Sequence, residues 1–216
     1  CLVAAAFARP MGLQIQTPFV GSRAAAAPDL AGALLVAVGA AVAGVGFEVG
    51  VRLLEGLRSR MGRDPMRCLV TGGVVVAVAL LVVPGLMGWA GLGTDLVVPA
   101  LAEPHGGWGF ALKLALTVVC LGFGLRGGEV TVMFVTGALM GSAVASLCGA
   151  DPLLTGALAM TALYGVALGC PISGALVGCE FFGWGFAPWL LPCIGAAWLG
   201  RTALKGVVDQ VRRHRE

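Results

Sequence analysis

Apolar residues fill long runs of this chain, and short clusters of glycine, proline and charge separate each run from the next. Neither strand alternation nor a one-sided helical stripe persists through them. The runs are apolar all round, as in helices surrounded by lipid or by other helices. The first long run covers residues 30–61 and follows Pro28-Asp29, where Asp29 is read as a helix cap. Its stretch 30–51 has the roughly 20 apolar residues that cross a bilayer. A second run covers 67–87 and breaks at Pro84-Gly85, while 88–101 is short and interrupted by Gly91, Gly93, Thr94, Asp95 and Pro99. Beyond a polar turn at 103–108, the pattern predicts helices over 109–125, 130–147, 152–167, 171–182 and 186–200. Asp151 caps the third of these, and Gly169-Cys170-Pro171 and Gly183-Trp184-Gly185 interrupt the chain later on. Roughly eight to ten helices are expected, several too short or too broken to cross a membrane straight.

The expected organisation is the end of a preceding helix and a loop over 1–29, a transmembrane region over 30–200, and a basic tail over 201–216. Composition agrees with a membrane setting: 58% of residues are hydrophobic and 12% are charged, about half the charged fraction of a soluble domain. The net charge of +3 is spread over segment ends rather than gathered in a patch, which argues against nucleic acid. Arg52, Arg58 and Arg60 make the end of one long helix basic, Arg63 and Arg67 follow past the turn at Asp64-Pro65, and Lys205, Arg212, Arg213 and Arg215 lie in the tail. Both clusters are assigned to the cytoplasmic side. The seven cysteines show no C-x-x-C spacing and read as buried free thiols; with only His105 and His214, no metal site is expected. No cofactor and no enzymatic activity are expected either, since neither G-x-S-x-G nor H-E-x-x-H occurs. The chain opens at Cys1 inside an apolar stretch, which reads as the remainder of a longer chain cut within a helix.

Small residues recur four apart at Gly46/Gly50, Gly137/Gly141, Gly165/Gly169 and Gly174/Gly178, a spacing that lets helices approach closely. Glu48 is expected in a salt bridge near the arginines. Lys113 is expected to snorkel to an interface or to pair with Glu103, and Tyr164 to hydrogen-bond between helices. Glu180 reads as a cap or backbone partner, and the five tryptophans as interfacial anchors.

The chemistry concentrates at Gly127-Gly128-Glu129-Val130-Thr131, between two apolar helices. A helix that starts inside the membrane presents free N–H groups and the positive end of its dipole, and lipid cannot satisfy them. Such a terminus suits an anion. The candidate anion site comprises Gly128, Glu129, Val130, Thr131, Val132 and Met133, with free N–H groups expected at Val130, Val132 and Met133 beside the Thr131 hydroxyl. Glu129 is the candidate for proton coupling, because a carboxylate beside a bound anion is repelled and takes up a proton some of the time. The bland reading, an acidic group favoured at a helix start, stands beside it with about equal weight.

The run Gly127-Gly128-Glu129-Val130-Thr131-Val132-Met133-Phe134 resembles the G-G-E-V-T-P-L-F motif of the CLC family of chloride channels and proton-coupled halide antiporters, in the prokaryotic branch that includes fluoride/proton antiporters. Leu112-Lys113-Leu114 is similar to the family's L-K-L. Cys170-Pro171, Gly178, Glu180, Phe182 and Gly183 match its A-G-A-T-N-T-P-L-A-C-T-I-M-G-I-E-L-F-G. The resemblance is best over 109–200 and covers the second half of a CLC subunit. It implies half of the family's inverted repeat, transport of chloride or fluoride with protons, a lipid bilayer (a bacterial inner membrane) and a homodimer built on residues 30–61 and the helices around 165–199. Val132 stands where the family has proline, and Val207 takes the place of a tyrosine that points at the ion. The sequence carries no G-R-E-G or G-K-E-G. The alternative is a membrane subunit that folds and dimerises without a complete pore.

Overall fold

The computed structural model describes residues 26–60, 65–83, 85–125 and 127–213. Residues 1–25, with most of the expected leading loop, lie outside them, as do Arg63, Asp64, Pro84 and Arg215. The described residues form eight α-helices and three short 3₁₀ turns. They are α1 Ala27–Arg60, α2 Pro65–Val82, α3 Val97–Ala102, α4 Gly109–Gly122, α5 Glu129–Cys148, α6 Pro152–Ala167, α7 Pro171–Phe182 and α8 Ala187–Arg213, with 3₁₀ turns at Leu86–Trp89, Thr94–Leu96 and Trp184–Phe186. The helices expected between residues 30 and 200 appear among the described residues. The largest departure is at the end: α8 does not stop near residue 200 but runs to Arg213. The basic tail therefore begins as a continuation of the last apolar helix, with Pro192 tolerated inside it.

At the centre stands α6, whose residues from Leu154 to Val166 are buried almost without exception. Its start is fixed by Asp151, whose side chain accepts the N–H of Leu153, with Pro152 at the first helical position. The antiparallel pair α5–α6 packs backbone to backbone. A Cβ on Gly137 would collide with the Ala159 carbonyl and Met160, and one on Gly141 with the Thr155 carbonyl and Gly156. Gly165 and Gly174 make a similar approach between α6 and α7. The other small-residue positions act differently. Gly46 faces open space, Gly50 meets Val118, Gly178 meets Leu190, and Gly169 (φ +74) ends α6 in a left-handed turn with the Cys170 N–H donating to the Gly165 carbonyl.

Against this pair lies α1, parallel to α6 and to α8: Gly44 meets Val166, Gly200 meets Ala41, and the Cys193 thiol donates to the Ala33 carbonyl. Asp29 does not cap its own helix. It is buried in the first turn of α1 and accepts the backbone N–H of Asp151, tying the starts of α1 and α6 together. Near its other end Glu48 binds Arg52, Arg201 (2.8 Å) and Lys205. Only Arg52 among these belongs to the arginine cluster at the basic end of the helix. Among the described residues, two helices, α1 and α5, contain stretches long and apolar enough to cross a bilayer, Ala27–Ser59 and Glu129–Cys148.

Candidate functional site

The chain leaves α4 through Gly124, which holds φ +89 while the Leu125 N–H reaches back to the Cys120 carbonyl at 2.9 Å. The left-handed residue of this passage is thus Gly124, not the glycine pair that follows. Gly128 sits at φ −63, ψ 68, the geometry of an inverse γ-turn, and the Glu129 N–H closes that turn onto the Gly127 carbonyl at 2.7 Å. A Cβ at 128 would lie 3.2 Å from Leu92 Cδ2, a close approach to the tip of a half-exposed leucine.

Helix α5 starts at Glu129, and no side chain caps it. Of its first four N–H groups, those of Glu129 and Val132 are taken, the latter by the Gly128 carbonyl at 3.2 Å. That of Met133 falls in the regular helical ladder, and the Met133 side chain is fully buried in the core. The N–H groups left for a ligand are those of Val130 and Thr131, a smaller set than the sequence suggested. Thr131 is half-buried, and its Oγ1 lies 3.8 Å from where a Gly128 Cβ would stand. Because Gly39 of α1 meets Met140, and Gly44 meets the end of α6, α5 begins beside the stretch 44–50 of α1, well before α1 ends at Arg60.

A cavity of about 390 Å³ opens on one side of this helix start. Gly127, Gly128, Glu129 and Val132 form one wall; Trp89, Ala90, Gly91 and Leu92 face them; Lys113, Leu116, Thr117 and Cys120 of α4 line it as well, with Val76 and Leu80 of α2. Of the six proposed anion-site residues, Gly128, Glu129 and Val132 line this space, whereas Val130, Thr131 and Met133 do not. The helix start therefore contributes Glu129 to the cavity lining, with Thr131 in the next positions of the same turn.

Lys113 corrects the sequence reading. It neither snorkels nor pairs with Glu103. Its side chain is 2% exposed, and its ammonium donates to the carbonyls of Trp89 (2.8 Å) and Gly91 (2.7 Å). Trp89 is likewise a cavity wall and lies over Gly109, and Trp198 is half-buried under the Arg201 guanidinium at 4.8 Å; Trp108 and Trp184 are the openly exposed ones. Tyr164 behaves as expected, its hydroxyl 3.2 Å from Ser173 Oγ across α6 and α7 and its ring stacked on Phe134. Among the described residues, no disulfide joins Cys68, Cys120, Cys148, Cys170, Cys179 or Cys193. The structure gives Glu180 a half-buried place in the last turn of α7.

A family model described as voltage gated chloride channel matches residues 1–201. The chain belongs to this family of voltage-gated chloride channels. Its all-α architecture of short and broken helices is the CLC fold: the crystal structure of a CLC-type fluoride/proton antiporter superposes with a TM-score of 0.79 at 23% identity, over 92% of this chain and 51% of that one. A chloride/fluoride channel protein from Pseudomonas syringae pv. tomato is 31% identical over 122 residues, 54% of this chain and 27% of that protein. The chain thus spans about half the length of the solved relative it matches. Membership makes it an integral membrane protein of a channel family rather than an enzyme family.

Proposed function

We propose that this protein contributes half of a halide pathway in a bacterial inner membrane, with the N-terminus of α5 as its anion site and Glu129 as its proton-coupling group. The observation that carries this reading is the start of α5. It stands part-way along α1, with Gly127, Gly128 and Val130 exposed; no side chain caps it, Glu129 lines the cavity, and among the described residues the N–H groups of Val130 and Thr131 beside the threonine hydroxyl have no backbone partner. Partial charges at a helix start favour an anion, and Thr131 adds a hydroxyl donor. Protonated, Glu129 becomes a donor to a halide; ionised, it repels one, so uptake of a proton and of a halide at this point are linked. The bilayer is the solvent, protons are the second substrate, and the functional unit is a homodimer built on α1, α7 and α8.

Titration with fluoride and with chloride of the purified chain in lipid nanodiscs, followed calorimetrically, tests this reading. Heat of binding that disappears in Thr131→Val supports it; no binding of either halide removes the anion site. One observation favours the alternative of a subunit without its own complete pore. Val207, in the place of the family's ion-facing tyrosine, is 57% exposed on a helix that simply continues. Flux assays in liposomes separate the two, since a subunit of that kind binds without transporting.

A further inference from the structure

The segment between α2 and α3 is irregular where apolar surroundings tolerate irregularity least. It contains two 3₁₀ turns, Leu86–Trp89 and Thr94–Leu96, and glycines at positive φ at 85, 91 and 93. Carbonyls exposed by such a path need partners, because hydrocarbon offers none. Those of Trp89 and Gly91 receive theirs from α4: the Lys113 ammonium, buried to 2% exposure, donates to both at 2.8 and 2.7 Å. A Cβ on Gly93 would come within 3.1 Å of the same nitrogen. The residues held in this way belong to the wall of the 390 Å³ cavity that Glu129 also lines, and the next one, Leu92, is the side chain nearest to where a Cβ at 128 would stand, at 3.2 Å.

We infer that Lys113 is a positioning residue for the halide site: it fixes the 89–92 wall, and through Leu92 that wall fixes Gly127-Gly128 and the start of α5. The route is a chain of contacts, Lys113 to the two carbonyls, Leu92 against Gly128, Gly128 to Glu129. A free ammonium at this depth would be costly, and so would two unpaired carbonyls, so the arrangement holds the wall in one place. The functional consequence rests on the halide reading above; the geometric claim does not.

The test therefore has two readouts on the chain in nanodiscs. Cys120 lines the same cavity and is half-buried, so its rate of modification by a small maleimide, mapped by mass spectrometry, reports the wall. Halide titration reports the site. In Lys113→Met the wall loses both bonds, and Cys120 should react roughly tenfold faster or more while halide affinity falls by roughly tenfold or more. Lys113→Arg, which keeps charge and donors, should return both toward the parent values. Leu92→Ala leaves the lysine in place and should weaken halide binding while Cys120 changes little; it also keeps the inference testable if Lys113→Met fails to fold. An unchanged Cys120 rate in Lys113→Met overturns the positioning of the wall. A faster Cys120 rate with unchanged halide affinity, in both Lys113→Met and Leu92→Ala, overturns the link to the site. If the parent chain binds no halide at all, it is the halide reading that fails, and the Cys120 comparison still decides the wall.

Discussion

At the residue scale the start of α5 separates two roles within a single helical turn. Glu129 lines the cavity with a carboxyl side chain, and Thr131, two residues on, offers a hydroxyl. Thr131→Val should therefore weaken halide binding by roughly ten- to hundredfold, the worth of one hydrogen bond to a charged partner at about 1.5–3 kcal/mol. Glu129→Gln should leave affinity within a few-fold and abolish proton uptake on halide addition, because the amide still donates but cannot titrate. Calorimetry in buffers of different ionisation enthalpy measures both quantities at once. Equal proton uptake by parent and Glu129→Gln would reduce Glu129 to an ordinary acidic residue at a helix start. Such a role was legible in the sequence because glycine pairs and acidic first-turn residues have local causes. The number of free N–H groups was not legible: the γ-turn at Gly128 and the Val132–Gly128 bond depend on backbone angles that glycine leaves open.

At the scale of elements, two contacts carry predictions. Helices α5 and α6 meet through Gly137 and Gly141 with no room for a methyl group. Gly141→Ala should lower the unfolding temperature in detergent, with a cost of about 1–3 kcal/mol for overpacking. Gly46→Ala faces open space and should leave that temperature unchanged or raise it. Sequence spacing alone put these glycines on the same footing; only the facing backbone distinguishes them. The second contact is Glu48, which joins α1 to α8 through Arg201 and Lys205. Its side chain is mostly shielded, at 16% exposure, and that of Arg201 at 9%. Removing the charge in Glu48→Gln leaves Arg201 buried without its counter-ion and should destabilise the chain by about 1–3 kcal/mol. Arg201→Met in the same background should cost much less than it does alone, and strict additivity in the double-mutant cycle would deny the pair any coupling. The sequence pointed to a salt bridge at Glu48 but found the partners in the neighbouring arginines. Arg201 lies 153 residues further on, with Lys205 one turn beyond it, and nothing local announces that α1 and α8 run side by side.

At the scale of the whole molecule, Glu48 ties α1 to the parallel α8 through Arg201 and Lys205, so the C-terminal parts of the two helices run toward the same side. Impermeant labelling of single cysteines at Arg58 and Thr202 in cells should give matching protection from outside. Labelling of one and not the other would contradict the packing of these helices. Much of α2 presents exposed valines and leucines, among them Val70, Val74, Val78 and Leu81, an apolar surface that suits lipid or another helix and not water.

What the sequence determined by itself was the class and the rhythm: an all-α membrane chain, its helices cut at prolines, glycines and the Asp151 cap, and a new helix starting after Gly127-Gly128. Those properties follow from local causes, namely apolar length, missing N–H groups, cap chemistry and the solvent that so apolar a chain requires. What only the tertiary structure decided was partnership. It gave Lys113 to the carbonyls of Trp89 and Gly91, Glu48 to Arg201 and Lys205, and Asp29 to Asp151. Each of these pairings satisfies a buried polar group at long range. A buried polar group must find a partner, but which one it finds depends on how the helices pack, and an apolar surface with no one-sided stripe does not encode that in any single segment.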